Sequence, residues 1–301
     1  MSRLEGVGAY ALYRLAAGAI SLLPEPVARR LGEAVGWSAS FLARDRLALV
    51  RRHLTRVVGE EAATVRRARA MFASYGRYWA EVFWVTPRRT RGILAASRVI
   101  NPERLTEASA QGKGVIVALP HSGNWESAGL IAVDLGVPVL AAAEALPNRR
   151  LVAWFIELRR KMGIEVVVAG QDRHVTAKLM RRLHDGGTVA LVADRDLSGR
   201  GVPVVFFGEE TTLPAGPATL AERTGAALIP VACFFAKGRG NIYVIDQPID
   251  IPDLPTRPQR VAAATQAFAH ALEGLIRRAP EQWHLFQPNW PSDRPGDRTS
   301  A

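Results

Sequence analysis

The chain contains the stretch Gly114-Val115-Ile116-Val117-Ala118-Leu119-Pro120-His121-Ser122-Gly123-Asn124-Trp125-Glu126. Its aliphatic and β-branched run is too short for a helix and lies between a glycine and a proline, so it predicts a strand that is buried on both faces. The small residues after His121 are typical of a turn or a helix N-cap, and the apolar segment 125–135 predicts the helix itself. His121 is therefore expected at the carboxyl edge of a sheet, where open α/β folds bind their ligands.

His121 and Glu126 are the first candidates for chemistry. If the helix starts between them, the carboxylate lies in its first turns and can accept a hydrogen bond from one imidazole nitrogen, which leaves the other nitrogen as a base. A histidine with a carboxylate five positions later also arises by accident. A capped helix with a structural histidine is therefore the alternative interpretation.

The chain around and after this stretch alternates between strand and helix patterns. Apolar runs near 114–119, 138–143, 164–169 and 188–193 are separated by helical segments, and this pattern predicts an α/β fold with a largely parallel sheet and helices on both faces. Further strands are predicted near 202–207, 227–235 and 241–246, and a last helix at 257–278. In a parallel sheet, the run 188–193 delivers Asp194-Arg195-Asp196 to the same edge as His121.

The composition restricts the partners of the protein. The 301 residues are 48% hydrophobic and 22% charged, which is enough for a sizeable core, and the net charge is +11. Only four of the 39 cationic residues are lysine. Such a basic chain favours nucleic acid, an anionic membrane surface or a polyanionic small molecule, and the absence of zinc-finger spacing, an RNP-like motif or a basic tail argues against nucleic acid. Cys233, the single cysteine, is expected to be a buried thiol.

The N-terminal region, residues 1–60, predicts three helices at 7–23, 25–42 and 44–58. The first is nearly all apolar but is short for a bilayer span and contains Arg14. The third carries many arginines, so the region is expected to have apolar stripes and basic faces. Such helices can lie in a membrane interface or form a solvated helical layer, and the sequence leaves both readings open.

A fourth predicted helix, 62–85, begins the core region, residues 61–285. Its aromatic residues recur at helical spacing, which is typical of a core stripe or of a slot for a hydrocarbon chain. They are Phe72, Tyr75, Trp79 and Phe83. The tail, residues 286–301, is rich in proline, aspartate and arginine from position 288 and is predicted to be loose.

Several short motifs follow one another in a fixed order. They are His121-x4-Glu126, Asp194-x-Asp196, Val202-Pro203-Val204-Val205-Phe206-Phe207-Gly208, Gly216-Pro217-Ala218-x-Leu220-Ala221, Thr224-Gly225-Ala226 with Pro230, and Pro280-Glu281-Gln282-Trp283. In this order, from about residue 60 to 285, the chain resembles the bacterial lipid A lauroyl/myristoyl acyltransferase superfamily. It is most similar to the actinobacterial branch, the phosphatidylinositol mannoside acyltransferases.

The resemblance implies a glycerol-3-phosphate-acyltransferase-like α/β fold and an O-acyltransferase activity. A long-chain acyl group, palmitoyl by expectation, would pass from acyl-CoA as co-substrate to the 6-hydroxyl of a mannose on phosphatidylinositol mannoside. The protein would act at the cytoplasmic face of the plasma membrane, bound peripherally to an anionic surface. Another glycolipid or a lysophospholipid as acceptor, and a non-catalytic lipid-binding protein of the same fold, are the alternatives.

Carried onto this sequence, the resemblance makes His121 the general base and Glu126 its orienting partner. Removal of the hydroxyl proton by such a base typically accelerates a reaction about 10²–10⁴-fold. No covalent acyl-enzyme, metal or cofactor is expected. The groups expected to stabilise the thioester oxygen are the N–H groups at Ser122, Gly123 and Asn124, or Arg159. The substrate-binding candidates are Arg159, Glu144, Asp194, Arg195 and Asp196.

Two rival enzyme classes are disfavoured by the sequence. A serine hydrolase that uses Ser122 lacks the Gly-x-Ser-x-Gly elbow. A zinc enzyme lacks histidines at ligand spacing, so the remaining histidines are expected at the surface or in helix packing. They are His53, His174, His184, His270 and His284.

Overall fold

The computed structural model describes residues 3–144, 148–169, 174–196 and 199–294. Its N-terminal part consists of four helices, as predicted: α1 (Arg3–Leu22), α2 (Glu25–Leu42), α3 (Arg44–Val58) and α4 (Val65–Trp84). Within the described ranges, no helix is both long enough and apolar enough to cross a membrane.

Helices α2 and α4 pack backbone against backbone. A Cβ atom at Gly76 would lie 2.0 Å from the carbonyl oxygen of Gly32, and one at Gly36 would lie 2.1 Å from the carbonyl oxygen of Phe72. Both distances are well inside van der Waals contact, so only glycine fits at these positions. The contact holds α4 firmly in the wall of the core.

The remaining chain has the predicted α/β alternation. Its first elements are α5 (Thr90–Ala95), β1 (Arg98–Ile100), α6 (Pro102–Ala110), β2 (Val115–Leu119), α7 (Ala128–Asp134), β3 (Val139–Glu144), α8 (Arg149–Lys161), β4 (Glu165–Ala169), α9 (Val175–His184) and β5 (Thr188–Val192). They are followed by β6 (Val202–Phe206), β7 (Glu209–Leu213), α10 (Gly216–Thr224), β8 (Ala227–Phe235), β9 (Asn241–Ile245) and α11 (Arg257–Ile276). Residues 172 and 173 of the predicted helix 172–185 lie outside the described residues, and the rest of that prediction corresponds to α9.

Seven strands form one sheet in the order β1-β9-β8-β2-β5-β3-β4. Five neighbouring pairs are parallel and only β8 and β9 are antiparallel, which confirms the prediction of a mostly parallel sheet. Strands β6 and β7 form a separate hairpin. The predicted strand β2 is central and buried along its whole length, because β8 and β5 flank it and helices cover it.

The register of β2 and β5 sets up the site. Leu119 pairs with Val192, and the Ala193 amide donates to the Leu119 carbonyl oxygen at 2.9 Å. The chain therefore leaves both strands side by side, with His121 and Asp194 two residues beyond this pair. Delivery of Asp194 to the edge that carries His121 was predicted and is confirmed.

The prediction of a loose tail from residue 288 is wrong as far as residue 294. Trp290 is fully buried, and its indole N–H donates to the Phe206 carbonyl oxygen at 3.1 Å. Asp293 is also buried and lies 2.9 Å from the Nε2 atom of His53 on α3. Aromatic and ionic contacts thus outweigh the polar composition of this segment. Residues 295–301 of the predicted tail lie outside the described residues.

Candidate active site

A cavity of about 610 Å³ lies under the carboxyl edge of the sheet. Residues from six neighbouring strands of the sheet contribute to its wall, namely β9, β8, β2, β5, β3 and β4. Small residues on β3, β5 and α7 provide the space for this cavity, namely Ala141, Ala143, Ala190, Ala128, Gly129 and Ala132. The lining is predominantly apolar, and a few polar groups gather near His121. This combination is typical of a site that binds an apolar ligand and acts on its polar end.

The partly exposed His121 and the fully buried Asp194 form a pair at this cavity. The Nδ1 atom of His121 lies 2.6 Å from Oδ1 of Asp194, and the His121 backbone N–H donates to Oδ2 at 3.0 Å. The Trp283 indole N–H donates to the same Oδ2 at 2.8 Å. A carboxylate in this position accepts the Nδ1 proton and leaves Nε2 of a neutral ring as a base.

The electrostatics keep Asp194 ionised. Burial by itself would raise the pKa of this carboxyl group. The neighbouring charge of His121, the hydrogen bonds from its ring and from Trp283, and the bond from the His121 amide together lower the pKa to about 2. A permanent negative charge beside Nδ1 stabilises the imidazolium form of His121, as a general base requires.

The predicted hydrogen bond between His121 and Glu126 is wrong. Glu126 instead accepts two hydrogen bonds from Arg159, at 2.7 Å from Nε and 2.5 Å from Nη2. Asp194 occupies the Nδ1 side of His121 because β5 is the immediate neighbour of β2. Burial by itself would lower the pKa of Arg159, but the Glu126 carboxylate raises it, so the pair is ionic. Glu126 and Arg159 both line the cavity.

The predicted oxyanion donors are also wrong for two residues. The Ser122 N–H donates to the Pro120 carbonyl oxygen at 2.8 Å, and the Gly123 N–H donates to the Gln282 carbonyl oxygen at 2.9 Å. Gly123 has φ +52, and a Cβ atom there would lie 2.5 Å from the Cys233 carbonyl oxygen, so the turn requires glycine. Both amides are therefore already bonded.

Asn124 has a structural part in the same turn. Its side-chain oxygen caps the short 3₁₀ helix Trp125–Ser127, and its amide donates to Glu81 on α4 at 2.9 Å. The predicted single helix 125–135 is thus a 3₁₀ turn followed by α7, so no long helix dipole points at His121. Cys233 is buried as predicted, and burial raises the pKa of its thiol.

The remaining predicted substrate-binding residues lie at the polar end of the cavity. Arg195 lies 3.2 Å from Glu144 and donates to Gln287 at 2.7 Å. Asp196 lines the cavity, and its carboxylate accepts hydrogen bonds from Gly201 N at 2.6 Å and from Thr212 at 2.9 Å. Asp196 therefore holds the loop that follows it. Arg195 is the cation that pairs with Glu144 at this edge of the sheet.

Sequence reasoning identified only part of the wall opposite the turn. Tyr78 stacks on Trp125 with ring centroids 3.9 Å apart, and Tyr75 and Trp79 of the predicted stripe line the cavity beside them. His284 is completely buried, with Nε2 at 2.8 Å from the Ser74 hydroxyl, and burial together with the charge of His121 lowers its pKa to about 3. The segment Pro280-Glu281-Gln282-Trp283 was recognised as a motif, but nothing in its spacing assigned it to the base.

Comparison with known proteins identifies the family. The family described as bacterial lipid A biosynthesis acyltransferase matches residues 5–292. A phosphatidylinositol mannoside acyltransferase of Mycolicibacterium smegmatis is 39% identical over 284 residues, which cover 93% of this chain and 90% of that protein. A phosphatidylinositol mannoside acyltransferase of Mycobacterium tuberculosis is 40% identical over 249 residues, which cover 81% of this chain and 77% of that protein.

A solved structure of the 1-acyl-sn-glycerophosphate acyltransferase PlsC from Thermotoga maritima is also similar. It matches with a TM-score of 0.38 and 15% identity over 84% of this chain and 98% of that chain. The family match spans nearly the whole chain and agrees with the order of the motifs. The protein therefore belongs to the bacterial lipid A biosynthesis acyltransferase family.

Proposed function

We propose that the protein transfers a long-chain fatty acyl group, palmitoyl by preference, from acyl-CoA to a mannose 6-hydroxyl of phosphatidylinositol mannoside. The observation that carries the proposal is the His121–Asp194 pair at the polar end of an apolar cavity. The names of the mycobacterial relatives support the choice of acceptor. The site of action is the cytoplasmic face of the plasma membrane.

His121 is the general base of this reaction. Its Nε2 takes the proton of the mannose hydroxyl while the oxygen attacks the thioester carbonyl carbon. The tetrahedral intermediate collapses with cleavage of the carbon–sulfur bond, and the proton on Nε2 passes to the CoA sulfur. Asp194 stabilises the imidazolium between these two steps through the 2.6 Å contact with Nδ1. The step needs neither a covalent acyl-enzyme nor a metal.

Arg159 is the donor for the developing negative charge on the thioester oxygen. Its Nε and Nη2 atoms hold Glu126, and among the described residues Nη1 has no hydrogen-bond partner. The Glu126 carboxylate keeps the guanidinium charged and in place at the cavity wall. Fixed donors of this kind stabilise an oxyanion without reorganisation during the reaction.

The apolar part of the cavity holds the acyl chain. Neighbouring strands are about 4.8 Å apart, so a cavity lined by six strands extends roughly 24 Å across the sheet. A chain lying across the strands buries its methylene groups, each worth about 0.8 kcal/mol. Residues of β2, β5 and β3 face this space, and Leu105 on α6 and Ile245 on β9 also line it.

Ala190→Leu is expected to shorten the acyl chain that the enzyme accepts. Ala190 lies in the middle of β5, beside Val117 and Ala141, and its partial exposure is to the cavity. Excluding about four methylene groups costs roughly 3 kcal/mol of binding, or about 100-fold in kcat/KM for palmitoyl-CoA. Transfer from hexanoyl-CoA in the same variant is the control and is expected to stay within a few-fold of wild type. Equal loss with both donors, in a folded variant, contradicts the slot.

The helical layer is the membrane-binding surface. Apolar side chains on the outer faces of α1 and α2 are exposed: Leu15, Leu22, Val27, Leu31, Val35, Phe41 and Leu42. By contrast, α3 buries its apolar stripe, and Arg56 and Arg52 pair with Asp293. Docking therefore combines the apolar face of α2 with the net positive charge of the chain.

Leu31→Glu is expected to weaken binding to anionic vesicles at least tenfold. Leu31 is 45% exposed, and burying a leucine in the interface is worth about 1.5–3 kcal/mol. Val205→Glu on β6 is the matched control, because Val205 has the same 45% exposure and lies outside the helical layer. Flotation with phosphatidylglycerol-containing and with neutral vesicles measures the effect. Equal binding of the two variants would contradict docking through the apolar face of α2. Equal binding of wild type to both kinds of vesicle would contradict the contribution of the positive charge.

The acceptor is tested by transfer from labelled palmitoyl-CoA into phosphatidylinositol dimannoside and, in parallel, into a lipid A precursor and a lysophospholipid. Label in the mannoside alone supports the proposal. Label in one of the other lipids keeps the acyltransferase and replaces the acceptor. Release of no CoA with any acceptor favours the non-catalytic lipid-binding protein.

A further inference from the structure

Trp283 contacts the His121–Asp194 pair but takes no part in the reaction steps given above. Its indole is fully buried, and its N–H donates to Oδ2 of Asp194 at 2.8 Å. The same oxygen accepts the His121 amide, and the other carboxylate oxygen contacts the His121 ring. Asp194 is itself completely buried, so these protein donors replace the water that would otherwise solvate its charge.

The backbone fixes the indole in register with the turn that carries His121. The His284 amide donates to the His121 carbonyl oxygen at 2.7 Å, and the Gly123 amide donates to the Gln282 carbonyl oxygen at 2.9 Å. Ser122 and Trp283 lie opposite each other in an antiparallel bridge between these two bonds. These two hydrogen bonds join the segments, so the Trp283 indole keeps its position relative to the His121–Asp194 pair.

We infer that Trp283 is a positioning residue of the acyl-transfer reaction, whose indole N–H keeps the Asp194 carboxylate turned toward the His121 ring. The inference rests on the proposed function, in which His121 is the base. Without the indole N–H, the Oδ2 atom of Asp194 loses a fixed donor and the carboxylate can turn away from Nδ1, so it stabilises the imidazolium less well during the reaction.

Trp283→Phe tests the inference, with Trp290→Phe as the matched control. Trp290 is equally buried and also donates its indole N–H. Its acceptor is the Phe206 carbonyl oxygen at 3.1 Å, and not Asp194. Trp283→Phe is expected to lower kcat about tenfold, which corresponds to the loss of one hydrogen bond to a charged group, with KM for acyl-CoA unchanged. Trp290→Phe is expected to keep the wild-type kcat.

An isosteric variant separates positioning from packing. β-(3-Benzothienyl)alanine at position 283 keeps the bicyclic shape of the indole and replaces its N–H group with a sulfur atom that cannot donate, so it is expected to fold as wild type and to reproduce the kinetic defect. In the Asp194→Asn background, Trp283→Phe is expected to add less than a twofold loss, because the charge that the indole holds is already gone.

Two outcomes overturn the inference alone: a wild-type kcat in the isosteric variant, or full additivity of the two substitutions. His121→Ala is measured beside them. If that variant retains wild-type activity, the proposed base is wrong and the inference about Trp283 falls with it. If His121→Ala is inactive while the isosteric variant is normal, the base stands and only the part assigned to Trp283 is lost.

Discussion

Replacing His121 with alanine is expected to lower the rate of acyl transfer by about 10³-fold or more. Among the described residues, His121 alone places at the cavity a ring nitrogen that is backed by an ionised carboxylate. Alanine provides neither a base for the hydroxyl nor an acid for the departing sulfur. The side chain is mostly buried beside Asp194 and Trp125. Acyl-CoA binding is expected to persist, because the apolar slot is unchanged.

The measurement compares kcat for palmitoyl transfer with the affinity for acyl-CoA, determined separately by calorimetry. His270→Ala is the control, since His270 lies exposed on α11 and contacts Gln266 at 3.0 Å. Wild-type kcat in His121→Ala would exclude the base. Loss of both kcat and acyl-CoA affinity would point instead to a folding defect, which thermal unfolding distinguishes.

Asp194→Asn is expected to lower kcat about 10³-fold, whereas Glu126→Gln is expected to cost about tenfold. An asparagine in place of Asp194 removes the charge that stabilises the imidazolium and offers Nδ1 a donor as readily as an acceptor, so the ring adopts the wrong tautomer. Glutamine at 126 keeps one acceptor for Arg159 and weakens only the anchoring of that cation. The larger effect at 194 than at 126 separates this arrangement from a His121–Glu126 pair.

Asp194 also links stability to pH, and the sign follows from its lowered pKa. The folded value is about 2 against 3.8 for the ordinary side chain, so the stabilisation is complete above about pH 4 and disappears as the pH falls through 2. Asp194→Asn lacks this dependence. Acid unfolding of the two proteins, followed by circular dichroism between pH 5 and pH 2, is expected to show a steeper loss for wild type, and parallel curves would contradict the assignment.

The local parts of the fold follow from the sequence. The structure has α2 and α3 at the predicted residues, because proline, apolar periodicity and glycine define their ends. The strands β2, β3, β4 and β5 lie within a residue or so of the predicted runs. The strands β1 and β7 were missed because β1 has only three residues and β7 is a polar hairpin strand, so neither has an apolar run.

The site is predictable only in part. The chain order places His121, Asp194 and Arg195 at one edge once the sheet is parallel. Which carboxylate meets His121 depends on β5 lying directly beside β2, and strand order is a property of the whole sheet. The same limit applies to Trp283 and His284, which return to the site more than 150 residues after His121 through backbone pairing that leaves no local pattern.

The close contact between α2 and α4 separates two surfaces of the protein. Gly76 faces α2, while its neighbours Tyr75, Tyr78 and Trp79 on α4 reach the cavity. The helices meet through glycine main-chain atoms at the centre of the contact, and ion pairs between Arg29 and Glu81 and between Arg77 and Glu33 add to it. Because glycines form the centre of the contact, exchange of exposed side chains such as Leu31 and Val35 on α2 is expected to leave the aromatic wall beside His121 in place.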